Sequence, residues 1–102
     1  MVGVEQLADA LQPQFYLTTG SYFEEKVEPS RALEIYQALV DRHPTDASAP
    51  RALVRQARIL QKLGEPLLAE EKLRCASAHA ACPPALREMV ERMLALGKSG
   101  TN

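Results

Sequence analysis

The chain has 102 residues, of which 46% are hydrophobic and 25% are charged. This composition is typical of a single domain with a core of its own. Its 12 basic and 13 acidic side chains leave a formal net charge of −1, so no global field favours nucleic acid or an anionic membrane. Any recognition driven by charge must therefore be local.

Neither a membrane span nor a signal peptide is recognisable in the sequence. No apolar run approaches the roughly 18 to 20 residues that cross a bilayer, and the start, Met1 to Glu5, lacks the basic and apolar segments of a signal peptide. As written, the sequence predicts a cytoplasmic chain without direct membrane insertion. For a domain cut from a longer protein, a periplasmic or membrane-tethered location would fit equally well. The two cysteines are too few for a disulfide scaffold, and we expect both to be reduced.

The first part of the chain predicts two helices separated by a proline. Residues 2–12 place four apolar side chains at spacings of three, one and three, which puts them on one face of a helix. Pro13 then interrupts, and a second helix is predicted from there to about Lys26. The next helix is predicted to begin at Glu28-Pro29, because proline suits the first turn of a helix.

Two longer helices are predicted in the middle of the chain. From Pro29, the apolar positions form a stripe broad enough for a helix packed on two sides, and Pro44 prevents its continuation. His43 precedes this proline, where an interaction with the helix dipole is expected rather than catalysis. The segment Thr45 to Ser48 offers oxygens that cap the next helix, which is predicted to run to about Leu63.

Two further helices complete the chain. Gly64-Glu65-Pro66 separates two of the helices, because Gly can take the left-handed conformation that ends a helix. The helix after this turn is predicted to extend to Cys82-Pro83-Pro84. The last helix is predicted over about Pro84 to Leu96, where Gly97 ends it, and residues 98–102 are predicted to form a flexible polar tail.

The chain repeats itself at a distance of 37 residues. This shift superposes the helix-starting prolines and places a small residue, Gly20 or Ala57, on the first helix of each unit. Small residues are needed there because the two helices of a hairpin cross closely. A shift of 33 superposes the last helix on the first helix of the second unit, so it is half a repeat. The pairs that coincide at 37 include Pro13 with Pro50, Glu28-Pro29 with Glu65-Pro66, Tyr16 with Leu53, Phe23 with Leu60, Ala32 with Ala69, Tyr36 with Leu73 and Leu39 with Ala76.

This order of small residue, large residue, turn, Ala, large residue and terminal Pro resembles the tetratricopeptide repeat family, over about Pro13 to Gly97. The spacing around Arg42 to Ala52 is similar to the longer repeats of bacterial envelope assembly proteins. The resemblance implies one all-α domain, a right-handed α-solenoid of antiparallel helix hairpins with about six helices. Its parts would be an N-terminal helix (2–12), repeat 1 (13–44), repeat 2 (50–82) and a half-repeat or capping helix (84–97). Val27 stands where the family usually has Gly.

Stacked hairpins of this kind curve, and the first helix of each pair lines the concave side. On the helix after Pro50, four basic residues at spacings of four, three and four share that face. The resemblance thus implies a non-catalytic module that binds a peptide segment or partner protein, with an acidic ligand held by charge-assisted hydrogen bonds. The predicted peptide-binding residues are Arg51, Val54, Arg55, Arg58, Lys62, Leu17, Ser21 and Arg87. The first unit also offers Gln14, Thr18 and Glu25 on this face.

Three alternatives stay open. The basic strip could be a solvated face whose arginines pair with Glu25, Glu88 or Glu91. The two end helices, 2–12 and 84–96, could form a homodimer surface instead of capping the stack, which would make this a structural or oligomerisation domain. The chain could also be a docking or regulatory domain of a larger, envelope-associated protein.

No motif in the sequence indicates an enzyme, a cofactor or a metal. No Ser or Cys has a nearby His and acid at a recognisable spacing, and no glycine-rich phosphate loop follows a strand. Cys75, His79 and Cys82 would share one face of a continuous helix. A structural zinc normally needs a fourth ligand, so no metal site is predicted.

Overall fold

The computed structural model describes residues 12–99, and within this range the chain is all-α, as predicted. The predicted helix over residues 2–12 lies outside the described residues, except for Gln12, which is extended and precedes the first helix. None of the helices in the described range combines the length and the apolar character needed to cross a membrane. The helices are α1 (Pro13–Glu25), α2 (Pro29–Arg42), α3 (Ser48–Lys62), α4 (Pro66–Ala78) and α5 (Pro84–Ser99).

Two turns of the same construction join α1 to α2 and α3 to α4. After α3, the N–H groups of Gly64 and Glu65 donate the two hydrogen bonds of a Schellman motif, at 3.1 and 2.8 Å. After α1, the N–H groups of Val27 and Glu28 donate the equivalent bonds, at 3.1 and 2.9 Å. Each turn is followed by a proline in the first turn of the next helix. The repeat read from the sequence is therefore present in the backbone of both turns.

The two turns differ in the residue that takes the left-handed conformation. Gly64 has φ 79° and Val27 has φ 58°. Glycine adopts this conformation without strain, whereas a β-branched side chain does not. The side chain of Val27 is 82% exposed, so packing does not compensate for the strain.

Each helix packs against the helices before and after it in the chain, and α1 also contacts α3. Two chain reversals separate α1 from α3, so these two helices run side by side in the same direction. The described chain measures 56 × 30 × 17 Å along its principal axes. Because α3 contacts α1, α2 and α4, it is the central helix of the molecule.

The core consists of two clusters, and α3 contributes buried residues to both. One cluster contains residues of α1, α2 and α3, the other contains residues of α3, α4 and α5, and Leu33 and Val40 of α2 pack against both. Gly20 brings α1 close to Tyr36 of α2: a Cβ atom at Gly20 would lie 2.4 Å from the nearest atom of the tyrosine ring. The buried residues of the first cluster are Tyr16, Leu17, Ala32, Tyr36, Leu39, Ala52 and Ile59, and those of the second are Leu53, Val54, Ala57, Leu60, Ala69, Leu73, Ala76 and Val90.

The start of α3 confirms the predicted capping segment. The carboxylate of Asp46 accepts a hydrogen bond from the backbone N–H of Ser48 at 2.8 Å. This bond lowers the pKa of Asp46, because it favours the charged form. Pro50 is buried in the first turn of α3, where no intrahelical N–H is needed.

The helix α4 ends at Ala78, so its predicted extension to residue 82 is wrong. The ring of His79 supplies the physical reason, because its Nδ1 atom accepts a hydrogen bond from the backbone N–H of Ala81 at 3.0 Å. Its Nε2 atom then carries the proton and donates to the carbonyl oxygen of Pro44 at 2.7 Å. His79 thereby closes a turn and ties the α4–α5 connection to the α2–α3 connection.

This early end of α4 also separates Cys75 from His79 and Cys82, which would share a face of a continuous helix. His79 and Cys82 lie beyond α4, so they do not share a helix face with Cys75. Cys75 is exposed, Cys82 is buried, and both are free thiols. Among the described residues, no three potential ligands come together as a metal site would require.

The helix α5 continues through Gly97 to Ser99, so the predicted end at Gly97 is wrong and the predicted tail is shorter by two residues. Helix propensity alone does not stop a helix at glycine, since the cost relative to Ala is only about 1 kcal/mol. Residues 100–102 of the predicted tail lie outside the described range.

Replacing Val27 by Gly should stabilise the fold. The substitution relieves left-handed strain of roughly 1–2 kcal/mol, and the extra freedom of the unfolded chain offsets about 0.5–1 kcal/mol of that gain. We expect a net increase of about 0.5–1 kcal/mol in the free energy of unfolding, measured by urea denaturation. The matched substitution Gly64→Val should lower this free energy. A loss of stability in Val27→Gly would show that the turn is not strained.

Replacing Gly20 by Ala should destabilise the fold, although Ala is ordinarily the better helix residue. The new methyl group would meet the ring of Tyr36, which is fully buried and has no room to move away. Overpacking of this kind costs about 1–3 kcal/mol. The control Thr19→Ala, at the neighbouring half-buried position, should be close to neutral in the same thermal or urea unfolding experiment. Equal stability of Gly20→Ala and the wild type would contradict the close packing of α1 on α2.

Candidate functional site

An open groove of about 450 Å³ lies between α1 and α3. These two helices contact each other, and the side chains that they present to the groove are mainly polar. One wall is formed by α1 and the other by the first half of α3. The lining residues are Gln14, Leu17, Thr18, Ser21, Tyr22 and Glu25 from α1, and Arg51 and Arg55 from α3.

Four of the eight predicted site residues line this groove together: Leu17, Ser21, Arg51 and Arg55. Leu17 is only 6% exposed, so it forms the apolar floor rather than a projecting contact. Arg58 and Lys62 are exposed on α3 but do not belong to the lining. The basic strip, Arg51, Arg55, Arg58 and Lys62, therefore enters the groove only with its first two members.

Two predicted site residues are placed elsewhere. Val54 is 3% exposed and belongs to the core, so the prediction that it is displayed on the concave face is wrong. The reason is that α3 is covered by helices on both sides and keeps only a narrow exposed strip. Arg87 donates through Nε to the carbonyl of Ser77 at 3.1 Å and through Nη2 to that of His79 at 3.3 Å. Its guanidinium caps the end of α4 and does not line the groove.

The arginines of the strip do not pair with the acidic residues considered as partners in the sequence. Within residues 12–99, no ion pair joins the strip to Glu25, Glu88 or Glu91. Glu88 pairs instead with Arg92 at 3.3 Å, on its own helix. In the described part of the chain, Arg51, Arg58 and Lys62 have no side-chain hydrogen bond or ion pair.

Arg55 is the member of the strip with internal contacts. Its Nη1 atom donates to the hydroxyl oxygen of Tyr36 at 3.4 Å, and the centre of its guanidinium lies 5.9 Å from the centroid of that ring. The hydroxyl of Tyr36 in turn donates to the carboxylate of Glu24. These three residues form a partly buried polar chain with Tyr36 at its centre, which fixes the position of Arg55.

Burial is the main reason that the pKa of Tyr36 is raised to about 12, and the hydrogen bond to Glu24 raises it further. Both effects disfavour the phenolate, one by desolvation and the other by the neighbouring negative charge. The hydrogen bond from Arg55 acts in the opposite direction but does not outweigh them. The phenol is therefore a neutral bridge between a cation and an anion at neutral pH.

A second polar cluster fixes α3 against α2 and α4. The amide nitrogen of Gln56, a side chain that is 2% exposed, donates to the carbonyl of Leu33 at 3.2 Å and to the side-chain oxygen of Gln37 at 3.1 Å. The ammonium group of Lys72 donates to the same oxygen of Gln37 at 3.2 Å. These bonds join the first hairpin to both helices of the second.

Sequence reasoning did not identify Tyr22, Glu24 or Tyr36 as parts of the site. Tyr22 lies at the edge of the predicted concave face, one turn after Thr18, and its side chain is 52% exposed. Tyr36 has the spacing of a core residue, and nothing in the pattern shows that its hydroxyl meets Glu24 and Arg55. The sequence feature that comes nearest to indicating this contact is the pairing of Gly20, the smallest residue, with an aromatic residue on the next helix.

No family model, curated protein or solved structure matches this chain. What the chain does has to be inferred from the groove itself.

Between about pH 10 and 12, the free energy of unfolding should fall as the pH rises. In this window an unfolded tyrosine loses its proton while Tyr36 in the folded chain keeps it, so the unfolded state is favoured. A difference of about two pKa units corresponds to at most about 2–3 kcal/mol. Urea denaturation at several pH values measures the effect. Tyr36→Phe should remove this component and Tyr22→Phe should keep it, whereas an unchanged pH dependence in Tyr36→Phe would contradict the buried chain.

Proposed function

We propose that the chain is a non-catalytic protein-interaction module that binds an extended peptide segment of a partner protein between α1 and α3. The observation that carries this proposal is the state of Arg51, which lines the groove and has no hydrogen-bond or ion-pair partner in the part of the chain that the structure describes. A guanidinium on the wall of a groove is suited to a carboxylate of a ligand, since it can donate charge-assisted hydrogen bonds.

We further propose that the two hairpins form a short right-handed solenoid of the tetratricopeptide type. In support, the hairpin turns share their hydrogen bonds at positions 37 residues apart, and the first helices of the hairpins lie side by side. In such a stack the first helices line the concave side, where extended ligands bind. The groove lies between those two helices.

The groove combines the features that peptide recognition needs. Leu17 provides an apolar floor, while the hydroxyls of Thr18 and Ser21 and the amide of Gln14 offer hydrogen bonds to a peptide backbone. The polar chain from Arg55 to Glu24 holds the guanidinium of Arg55 in place before any ligand arrives. A preformed site loses little ordering entropy on binding, which favours affinity.

The exposed face of α5 gives less support to the alternative that the domain oligomerises through its last helix. Its exposed positions up to residue 96 are Pro84, Ala85, Glu88, Glu91, Arg92, Ala95 and Leu96, of which only Leu96 is a large apolar residue. Such a face suits a capping helix in contact with water. The proposed module would act in the same way alone or as a docking domain within a larger protein.

Arg51→Glu should weaken peptide binding by roughly tenfold, which is about 1.4 kcal/mol. Random peptides of about twelve residues, which extend to roughly 40 Å, would first be selected on the wild-type chain, and their dissociation constants measured by fluorescence anisotropy. The matched control is Arg58→Glu, an equal charge change on the same helix outside the groove, which should change affinity by no more than about threefold. Both variants should keep the wild-type stability within about 0.5 kcal/mol.

Two outcomes would contradict the proposal. Failure of any peptide to be enriched would argue against a peptide-binding groove. Equal losses in Arg51→Glu and Arg58→Glu would show that binding depends on the net charge of α3 and not on the groove.

A further inference from the structure

The groove has a direction, because its two ends differ in charge. On α1 its lining extends from Gln14 to Glu25, which is roughly 16 Å at about 1.5 Å per residue. On α3 the lining consists of Arg51 and, one turn later, Arg55. Since α1 and α3 run in the same direction, Arg51 lies toward Gln14 and Arg55 lies toward Glu25.

The charge of Arg55 is partly balanced within the protein. Its guanidinium donates to Tyr36, whose hydroxyl donates to Glu24, so an anion lies one bridging group away. Arg51 has no such connection in residues 12–99. The uncompensated positive charge of the groove is therefore concentrated at its Gln14 end.

The opposite end carries a carboxylate with no direct partner in the described range. Glu25 lines the groove, and no hydrogen bond or ion pair engages its carboxylate within the described range. The adjacent Lys26 does not pair with it: its ammonium nitrogen lies instead 5.6 Å from the centroid of the Tyr22 ring. The ring of Tyr22 thus holds a cation of the protein itself.

We propose that the groove selects a peptide segment that carries one acidic and one basic residue, three to five positions apart. The acidic side chain binds Arg51, and the basic side chain binds Glu25. The largest spacing follows from the axial length of the α1 lining, roughly 16 Å, divided by roughly 3.3 Å per residue of an extended chain, and the reach of the two ligand side chains permits the shorter spacings. This inference rests on the proposed peptide-binding function and specifies the ligand of the same groove.

A uniformly acidic peptide is a poorer ligand than this bipolar one. Its second acidic residue would face the carboxylate of Glu25, and two like charges in contact repel each other. The carboxylate of Glu25 thus disfavours ligands that Arg51 alone would bind. Discrimination by such a pair of contacts is more specific than attraction to the basic strip as a whole.

The test selects random displayed peptides of about twelve residues on the full chain and on the variant Glu25→Arg. On the wild type, enriched sequences should contain an acidic and a basic residue at the stated spacing. On Glu25→Arg, the basic position should be replaced by a second acidic one. A bipolar peptide selected on the wild type should bind Glu25→Arg roughly five- to tenfold more weakly, because an attractive contact becomes a repulsive one.

The matched control is Glu71→Arg, an equal charge change at an exposed position of α4 outside the groove, which should leave the selected sequences unchanged. Enrichment of peptides that lack the basic residue, or identical selections on the wild type and Glu25→Arg, would overturn this inference while leaving peptide binding intact. No enrichment on any variant would overturn the proposed function itself. Altered selections on Glu71→Arg equal to those on Glu25→Arg would also overturn the assignment of Glu25.

Discussion

The contact between Gly20 and Tyr36 is the constraint on which the first hairpin and the groove both depend. The absence of a side chain at Gly20 lets the tyrosine ring lie directly against the backbone of α1. In this position the ring is fully buried, and its hydroxyl reaches Glu24 on α1 and accepts from Arg55 on α3. One side chain thus closes a hairpin and orients a residue of the next one. Packing and the chemistry of the groove are coupled at this point.

The second hairpin shows how a repeat can keep its packing and lose this chemistry. At the positions equivalent to Gly20 and Tyr36 it has Ala57, which is larger than glycine, and Leu73, which is smaller than tyrosine. Both pairs fill a similar space, and cores tolerate exchanges that keep the total volume. Only the first pair brings a hydroxyl between the helices. This polar chain is therefore a departure from the repeat, and its Arg55 belongs to the proposed site.

Sequence patterns predicted most of the helix bounds, because proline and glycine act locally and the hydrophobic period reports which face is covered. The turn at Gly64 and the capping by Asp46 followed from residues adjacent in the chain. The end of α4 did not, since it depends on the ring of His79 bonding to Pro44, 35 residues away. Val54 was misplaced for a related reason: the helical period shows which residues share a face but not how many neighbours cover that face.

The same limit applies to the site. Spacing placed Arg51, Arg55 and Ser21 on one concave surface, and the structure brings them together. The spacing did not distinguish the guanidinium of Arg55, which is held by the phenol of Tyr36, from that of Arg51, which has no partner in the described chain. That distinction decides the polarity of the groove.

The basic strip of α3 therefore divides into two parts with different physical effects. In the proposed complex, Arg58 and Lys62 would act from outside the groove, as exposed and screened charges that raise the rate at which an anionic partner approaches. Arg51 is exposed as well, but it lines the open groove together with Glu25, so in the proposed complex it would contact the ligand directly. Under the proposed function, the strip would attract the ligand and the groove would select it. A chain with a formal net charge of −1 would in this way attract an acidic segment locally and still discriminate against one that is acidic throughout.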